Sequence, residues 1–453
     1  MYSKKNSLLL IIVSFLLSII FSHFFLLKYD RYEISTDSIE NHAFIKGDIP
    51  DIWIEAENIK QDIESGENYF MSGNEIFRSY LPPRIVAFYS MIANYSLFSD
   101  WDKQIINSEK GKFPYLILQA AIFFLSLGFF YLTISKIYPL KNCFFTILFL
   151  ALCPNIFLFH SSFHTESIFF SLQIFTLSLI LLKSKKITIN ILIGISVGFM
   201  FLQKTTMIYY CIPIILYYAF YYKFNFLKPA FFLLVGYFLV IVIVGFANFK
   251  RAGIFYVMPG QAKDAVHFYM LDAILAKQEK ISTVEAAVIS QNDLNNWIEK
   301  NNIDINIESD KIKYYNFHQK YAYKTFINNP IATLQYMSYK TLQTGVLSPS
   351  YIFDFFKYEN EKKPPFYLEK SWKNKWIPIN LIYSIIIYTI ILIGFFKTNI
   401  KSNLDNSIIL ILSSLYLLAM LGWVGNSRYF CPILIYLSIF FGNGVAAITS
   451  KNK

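Results

Sequence analysis

The chain alternates long apolar runs with two long polar stretches. The first apolar run extends from about Leu8 to Leu27. Further runs of the roughly 17 to 25 residues that suit a membrane span follow at about 113–135, 142–159, 164–182, 187–203, 206–222, 226–248, 378–396, 406–422 and 430–448. A helix of this length crosses the hydrocarbon core of a bilayer, which is about 30 Å thick. The pattern therefore predicts an all-α polytopic membrane protein with about ten transmembrane helices.

The two polar stretches separate the apolar runs into blocks. In the first stretch, Ile85–Phe98 is apolar but short and amphipathic, which favours an interfacial helix. In the second, Asp264–Ala276, Tyr314–Ile327 and Ile331–Thr344 have helical patterns, with a break at Asn329-Pro330. The predicted domains are a first transmembrane helix at 1–27, an extracytoplasmic loop with the interfacial helix at 28–112, transmembrane helices two to seven at 113–249, an extracytoplasmic domain at 250–377, and transmembrane helices eight to ten with a cytoplasmic tail at 378–453.

The lysines predict the orientation of these helices. With the N-terminus in the cytoplasm, the cytoplasmic turns and tails contain most of the lysines that lie near spans, whereas the three short outer turns contribute only Lys204 and Arg428. The positive-inside rule therefore places both termini in the cytoplasm and both polar stretches outside. Orientation also explains the net charge of +11 better than a polyanion does, so no nucleic-acid partner is predicted.

Other features of the composition add less. The four cysteines lie in or next to apolar runs and have no spacing typical of a metal site. The first apolar run is followed by no small-residue cleavage site, so we expect a retained anchor.

Asp37, in the first outer loop, is the candidate catalytic residue. A carboxylate that is partly shielded at the membrane rim can accept a proton from an attacking hydroxyl. Asp30, Glu33 and Asp48 lie in the same loop and remain alternatives, and an ordinary role for Asp37 as a solvated loop acid or helix N-cap also stays open.

The outer turn from His160 to Glu166 is a second polar group. His164 and Glu166 could position a substrate, although an acid in the first turn of a helix also stabilises that helix by about 0.3–1 kcal/mol. Two histidines and an acid invite a divalent metal, but their spacing matches no known metal motif, so no metal or other cofactor is predicted.

Several cations lie where outer segments meet the membrane. Lys204, and Arg428 with Tyr429, could hold a phosphate at the headgroup level, although snorkelling to phospholipid headgroups explains such cations equally well. Arg78, Tyr80 and Arg84 precede the interfacial helix and are further substrate-binding candidates, because the planar guanidinium group suits phosphate oxygens.

The order of these motifs resembles a known family. They are Asp37 in the first outer loop, the Arg/Tyr/Pro stretch from Arg78 to Pro83, Thr165-Glu166-Ser167 at the start of a span, Gly194 to Gly198 leading to Gln203-Lys204-Thr205, Asn329-Pro330, and Arg428-Tyr429 before Pro432. Together they resemble the C-type superfamily of membrane glycosyltransferases, in particular bacterial relatives of the protein O-mannosyltransferases and of the aminoarabinose transferases that modify lipid A. Two features depart from the family pattern: Lys204 stands where many relatives have arginine, and the first loop lacks the double-acid motif of the O-mannosyltransferases.

The resemblance implies a C-type glycosyltransferase-like fold and an inverting transferase in the bacterial inner membrane. The sugar would come from a polyprenyl-phosphate donor at the periplasmic face, with Asp37 as general base, and would pass to a lipid, glycan or protein acceptor. One rival is an O-antigen ligase or polymerase that uses Arg251, His267 and His318. Another is a lipid-linked sugar flippase, for which polar residues near the bilayer midplane would be expected.

Overall fold

A computed structural model describes residues 3–28, 48–67, 79–96, 109–160, 165–260, 263, 270–347, 370–398, 400–421 and 430–450. These residues form helices and no strand, as the hydrophobic pattern predicts. The helices are α1 (Lys4–Lys28), α2 (Asp48–Glu64), α3 (Leu81–Ser96), α4 (Glu109–Ile134), α5 (Leu140–Leu152), α6 (Pro154–His160), α7 (Glu166–Leu181), α8 (Ile187–Gln203), α9 (Cys211–Tyr222), α10 (Leu227–Ala252), α11 (Asp272–Glu279), α12 (Thr283–Asn301), α13 (Glu308–Asn328), α14 (Pro330–Leu347), α15 (Lys370–Lys397), α16 (Ile400–Leu421) and α17 (Cys431–Ile448).

Many of these helices are apolar enough for a membrane. Within the described residues, four stretches are long and apolar enough to cross a bilayer: Lys4–His23, Pro114–Ile134, Thr205–Ala252 and Cys431–Ile448. The shorter apolar helices are Leu140–Leu152, Glu166–Leu181, Ile187–Gln203, Leu381–Lys397 and Asp405–Met420. The prediction of an all-α membrane protein is confirmed, whereas the count of ten spans stays a prediction.

Two predicted spans differ from the observed helices. The run at 142–159 is divided between α5 and α6 at Pro154, because proline lacks a backbone N–H group and disfavours helical dihedral angles at the residue before it. The run at 206–222 begins with a 3-10 turn at Thr205–Met207, and its α-helix starts only at Cys211.

In the second polar stretch, α12 is a helix that the pattern did not predict. Its N-terminus is capped by Ser282, whose side chain accepts a hydrogen bond from the Glu285 backbone while the Glu285 carboxylate accepts one from Ser282. This capping box was readable as Ser-x-x-Glu in the sequence. The break predicted at Asn329-Pro330 does separate α13 from α14.

The bundle is held by close helix packing. Helix α4 packs against α1 and α7, α8 against α10, and α17 against α5 and α15. A Cβ atom added to Gly194 in α8 would lie 1.9 Å from the Leu233 carbonyl oxygen, and one added to Gly236 in α10 would lie 2.1 Å from that of Ile191. Only glycine allows two backbones to approach so closely, which is the usual role of small residues between membrane helices.

The contacts between helices define the two ends of the bundle. Gln203 at the end of α8 donates a hydrogen bond to the carbonyl oxygen of Thr165, just before α7, at 2.9 Å. We call this end, which contains His160, Glu166 and Lys204, the site end. At the opposite end, Lys183 lies 3.5 Å from Asp405.

Helices α8 and α10 run parallel to each other. Gly194 meets Leu233 and Tyr237, and Gly198, one turn later in α8, meets Val240, which is later in α10. Because their contacts advance together, α10 also ends at the site end. Its last two turns contain Asn248 and Arg251.

Two smaller helical groups accompany the bundle. Helix α2 packs on α3 through Ile52, Ile59, Val86 and Ala87. Helices α11, α13 and α14 share a second small core, and α11 also packs against α12. These groups belong to the two predicted outer stretches. Helices α2 and α3 supply Glu55, Pro83 and Arg84 to the lining of the candidate site, and α13 contacts that site through Glu308.

Candidate functional site

A buried ion pair joins the start of α7 to the end of α8. The Nζ atom of Lys204 lies 2.8 Å from Oε1 of Glu166, and their side chains are 13% and 3% exposed. Glu166 is the first residue of α7, and Lys204 follows the last residue of α8 in an extended conformation. A carboxylate that has lost its water needs a partner of opposite charge, and Lys204 supplies one.

Two further contacts fix this pair. Besides the bond from Gln203 to the Thr165 carbonyl group, the Thr165 hydroxyl donates to Oε2 of Glu166 at 3.4 Å. Each carboxylate oxygen of Glu166 therefore has a donor. Glu166 is both a first-turn acid, which the helix dipole stabilises, and one half of a buried ion pair.

His160, the last residue of α6, makes contacts that stabilise the packing of α6 against α4 and α7. Its Nδ1 atom shares a hydrogen bond with the Ser167 hydroxyl at 3.0 Å, and its carbonyl oxygen accepts one from Gln119 at 3.1 Å. The imidazole ring packs on Phe123, with 3.5 Å between ring centroids. These contacts hold α4, α6 and α7 together near Glu166, since Ser167 follows it in α7.

A cleft with two arginines opens at the start of α3 and the end of α10. It is lined by Glu55, Ser79, Tyr80, Pro83, Arg84, Asn248, Arg251, Tyr256, Val257 and Pro259. We call it the arginine cleft. Because α3 packs against α8 and α10 ends beside it, the arginine cleft lies at the site end.

Arg84 is held against a tyrosine ring in this cleft. The guanidinium carbon lies 3.6 Å from the centroid of the Tyr80 ring, and Nη1 donates to the Tyr80 carbonyl oxygen at 3.3 Å. Burial raises the pKa of the Tyr80 hydroxyl, although the Arg84 charge opposes this. The stacking fixes the plane of a buried guanidinium group, whose geometry suits the oxygens of a phosphate.

Arg251 connects the cleft to the second outer group of helices. Its Nη2 atom lies 2.9 Å from Oε1 of Glu308, the first residue of α13. It also donates to the Tyr256 hydroxyl, which donates in turn to Glu308 at 3.4 Å. Burial raises the pKa of Tyr256, so its hydroxyl remains a neutral donor.

The turn after α10 brings Tyr256 back to Arg251. Helix α10 ends at Gly253, whose φ of 70° lies in the left-handed region that glycine tolerates. Asn248, one turn before the end of α10, then donates to the Tyr256 carbonyl oxygen at 2.8 Å. The chain thus folds over the end of α10, and Tyr256 becomes one wall of the cleft.

The structure brings the described candidates together in two pairs, Glu166 with Lys204 and Tyr80 with Arg84. Asp37, Arg78, His164, Arg428 and Tyr429 lie outside the described residues, as do Asp30, Glu33 and His267. Asp48 starts α2, and His318, which the rival ligase mechanism would use, is buried in α13 against the Tyr314 ring. Sequence reasoning did not find Asn248, Tyr256 and Glu308, because no local pattern marks their contacts across loops.

In the part of the chain that the structure describes, no three histidine, cysteine, aspartate or glutamate side chains come close enough together to hold a metal ion. The chemistry available there is that of buried cations and their counter-ions. Such a set can bind an anion and stabilise charge that develops on it.

The comparison with known proteins gives one family. No curated protein matches the chain. Residues 103–246 match the family described as dolichyl-phosphate-mannose-protein mannosyltransferase. The matched segment contains α4 to α9 and most of α10, and it includes both Glu166 and Lys204. This match confirms that the chain resembles the membrane glycosyltransferases of the protein mannosyltransferase and aminoarabinose transferase type.

Proposed function

We propose that the chain transfers a sugar from a polyprenyl-phosphate donor to an acceptor hydroxyl at the site end of the bundle. The arginine cleft is the observation that carries the proposal. Arg84 from α3 and Arg251 from α10 both line this cleft. The neighbouring bundle matches a family whose name specifies a lipid-phosphate sugar donor and a mannosyl transfer.

The two arginines would hold the donor phosphate. When the bond between the anomeric carbon and the phosphate oxygen breaks, negative charge grows on that phosphate. Cations that are already oriented stabilise this charge without reorganising, and a hydrogen bond to a charged group contributes about 1.5–3 kcal/mol. The Tyr80 ring orients Arg84, and Glu308 and Tyr256 orient Arg251.

Lys204 would extend this positive region toward the donor. Glu166 holds the Lys204 ammonium group in one position, which lowers the conformational entropy lost when a substrate binds. We assign further substrate contacts to Arg78, His164, Arg428 and Tyr429, which belong to the same predicted outer loops and turns.

Asp37 is proposed as the general base. It would take the proton of the acceptor hydroxyl while the hydroxyl oxygen attacks the anomeric carbon from the face opposite the phosphate. One carbon–oxygen bond forms, the other breaks, and polyprenyl phosphate leaves, so the sugar changes anomeric configuration. The proposed location is the periplasmic face of a bacterial inner membrane, and the acceptor is a lipid, a glycan or a protein.

Reconstitution in liposomes tests the function. The full chain is given a polyprenyl-phosphate donor with a single labelled sugar, together with candidate acceptors. We expect the label to move to an acceptor and polyprenyl phosphate to be released. Transfer only of a preassembled glycan, or movement of the donor across the bilayer with no bond formed, would overturn the proposal. Arg84→Gln should lower the transfer rate at least tenfold, whereas Lys313→Gln, which changes an exposed lysine of α13, should leave it unchanged.

A further inference from the structure

Helix α14 has an apolar face that no described residue covers. Ile331, Leu334 and Leu342 are 72%, 64% and 69% exposed. With 3.6 residues per turn, these positions lie on one side of the helix, which also carries the exposed polar residues Gln335 and Ser338. We call Ile331, Leu334 and Leu342 the α14 row.

The other side of α14 faces protein. Ala332, Tyr336 and Met337 pack against the small core that includes Met270 and Leu271. The helix therefore has two apolar sides, of which one covers a core and the other is exposed. Rows of exposed large apolar side chains usually mark a surface that is in contact with a partner or a membrane.

The C-terminal part of α14 reaches the level of the membrane helices. The Thr341 hydroxyl donates to the Leu418 carbonyl oxygen at 3.5 Å, and Leu418 lies within the apolar segment Asp405–Met420 of α16. Leu342 follows Thr341 directly. The Leu342 end of the α14 row therefore lies beside the apolar segment of α16. Leu415 in that segment is exposed.

We propose that the α14 row rests on the lipid bilayer at the site end, so that α14 lies along the membrane surface. At 1.5 Å per residue, the row extends about 16 Å from Leu342 to Ile331. Because one end of the row lies beside a membrane helix, the whole row is removed from water only if α14 lies against the lipid. Helix α14 contacts α16, whose Leu415 is exposed within an apolar segment, and this neighbour favours lipid over another protein as the partner.

Spin labelling of the full chain in phosphatidylcholine liposomes tests the proposal. A nitroxide on Leu334→Cys is compared with one on Leu415→Cys, as the lipid reference, and one on Asn292→Cys, an exposed polar position of α12, as the water reference. Collision rates with oxygen and with a soluble nickel chelate are measured. Because the four natural cysteines are buried, the unsubstituted chain carried through the labelling serves as the blank.

We expect the Leu334 label to have an oxygen-to-nickel ratio close to that of the Leu415 label and at least threefold above that of the Asn292 label. A ratio equal to the Asn292 value would overturn the proposal. So would spin–spin broadening that disappears on dilution with unlabelled chain, since this would identify a second copy as the partner. Ile331→Cys repeats the measurement at the far end of the row. None of these results depends on sugar transfer.

Discussion

Lys204 and Glu166 form an ion pair of 2.8 Å between the end of α8 and the start of α7, with both side chains largely removed from water. The two halves of the pair differ in burial, because the Glu166 side chain is almost fully enclosed whereas that of Lys204 keeps some exposure. Loss of one partner leaves the other as an uncompensated buried charge, which costs about 3–5 kcal/mol in folded proteins. The more enclosed charge should be the more expensive to leave.

Replacement of Lys204 should therefore destabilise the protein more than replacement of Glu166. We expect Lys204→Met to lower the free energy of unfolding by about 3–5 kcal/mol and Glu166→Gln by about 1–3 kcal/mol. The double variant should be more stable than Lys204→Met alone, since it leaves no unpaired charge. Thermal unfolding in detergent measures all three, and equal losses in the two single variants would contradict the unequal burial of the two charges.

In the Arg251–Glu308 pair, we expect Glu308 to compete with the donor phosphate for Arg251. Glu308 occupies the guanidinium group that is proposed to hold the donor phosphate, so Glu308→Gln should make Arg251 more available to an anion. We expect the KM for the donor to fall severalfold, up to about tenfold for a difference of 1.4 kcal/mol. Steady-state kinetics measure the change, and Glu299→Gln, an exposed acid of α12, is the control. A higher KM in Glu308→Gln would contradict this prediction and indicate that the orientation of Arg251 by Glu308 outweighs the competition.

The environment of Asp272 leads us to expect that the stability of α11 and α12 depends on pH. Burial raises the pKa of its carboxyl group above the usual 3.8, although the Ser290 hydroxyl donates to it at 2.7 Å. Because the folded state then binds the proton more tightly than the unfolded state, the stability contribution is complete below pH 3.8 and is lost as the pH rises through the higher folded pKa.

Asp272→Asn removes the loss of stability at high pH, because the amide does not ionise. Its oxygen can still accept the Ser290 hydrogen bond. The variant should therefore be more stable than the natural chain at pH 7, and the difference should shrink toward pH 4. Hydrogen exchange in the peptides of α11 and α12 follows both effects. A gain in protection of the same size at both pH values would refute this assignment.

Gly194 and Gly128 give a matched test of helix packing. A Cβ atom at Gly194 would meet the Leu233 carbonyl oxygen at 1.9 Å, whereas one at Gly128 in α4 has no neighbour within 4 Å. Gly194→Ala should destabilise the protein by about 1–3 kcal/mol or more. Gly128→Ala should be neutral or stabilising by about 0.5–1 kcal/mol. Unfolding in detergent compares them, and similar values for both would contradict the close approach of α8 and α10.

The apolar pattern predicted most of the helices because burial in lipid requires long apolar segments, whatever their neighbours. It did not predict the division at Pro154, since a proline near a helix end is compatible with either one helix or two. Helix α12 was missed because it is polar on most of its surface, although its capping box of Ser282 and Glu285 was visible.

Some residues of the candidate site were predictable, but their contacts were not. Lys204 and Arg84 were predictable because cations at the headgroup level can hold a phosphate. Tyr80 was predictable because it belongs to the same stretch as Arg84, and Glu166 because it belongs to a polar outer turn. That Lys204 pairs with Glu166, or that Glu308 reaches Arg251, depends on the packing of segments far apart in the chain. Periodicity carries no information about such contacts.

The most direct test of the account is to locate the bound donor. A polyprenyl-phosphate sugar with a diazirine group next to the phosphate is photo-crosslinked to the full chain in liposomes, and the labelled peptides are identified by mass spectrometry. The account predicts labelling at the site end, in peptides that contain Arg84, Lys204 or Arg251, and its loss when unmodified donor is added in excess. Competable labelling at the opposite end, around Lys141 and Lys183, would contradict it.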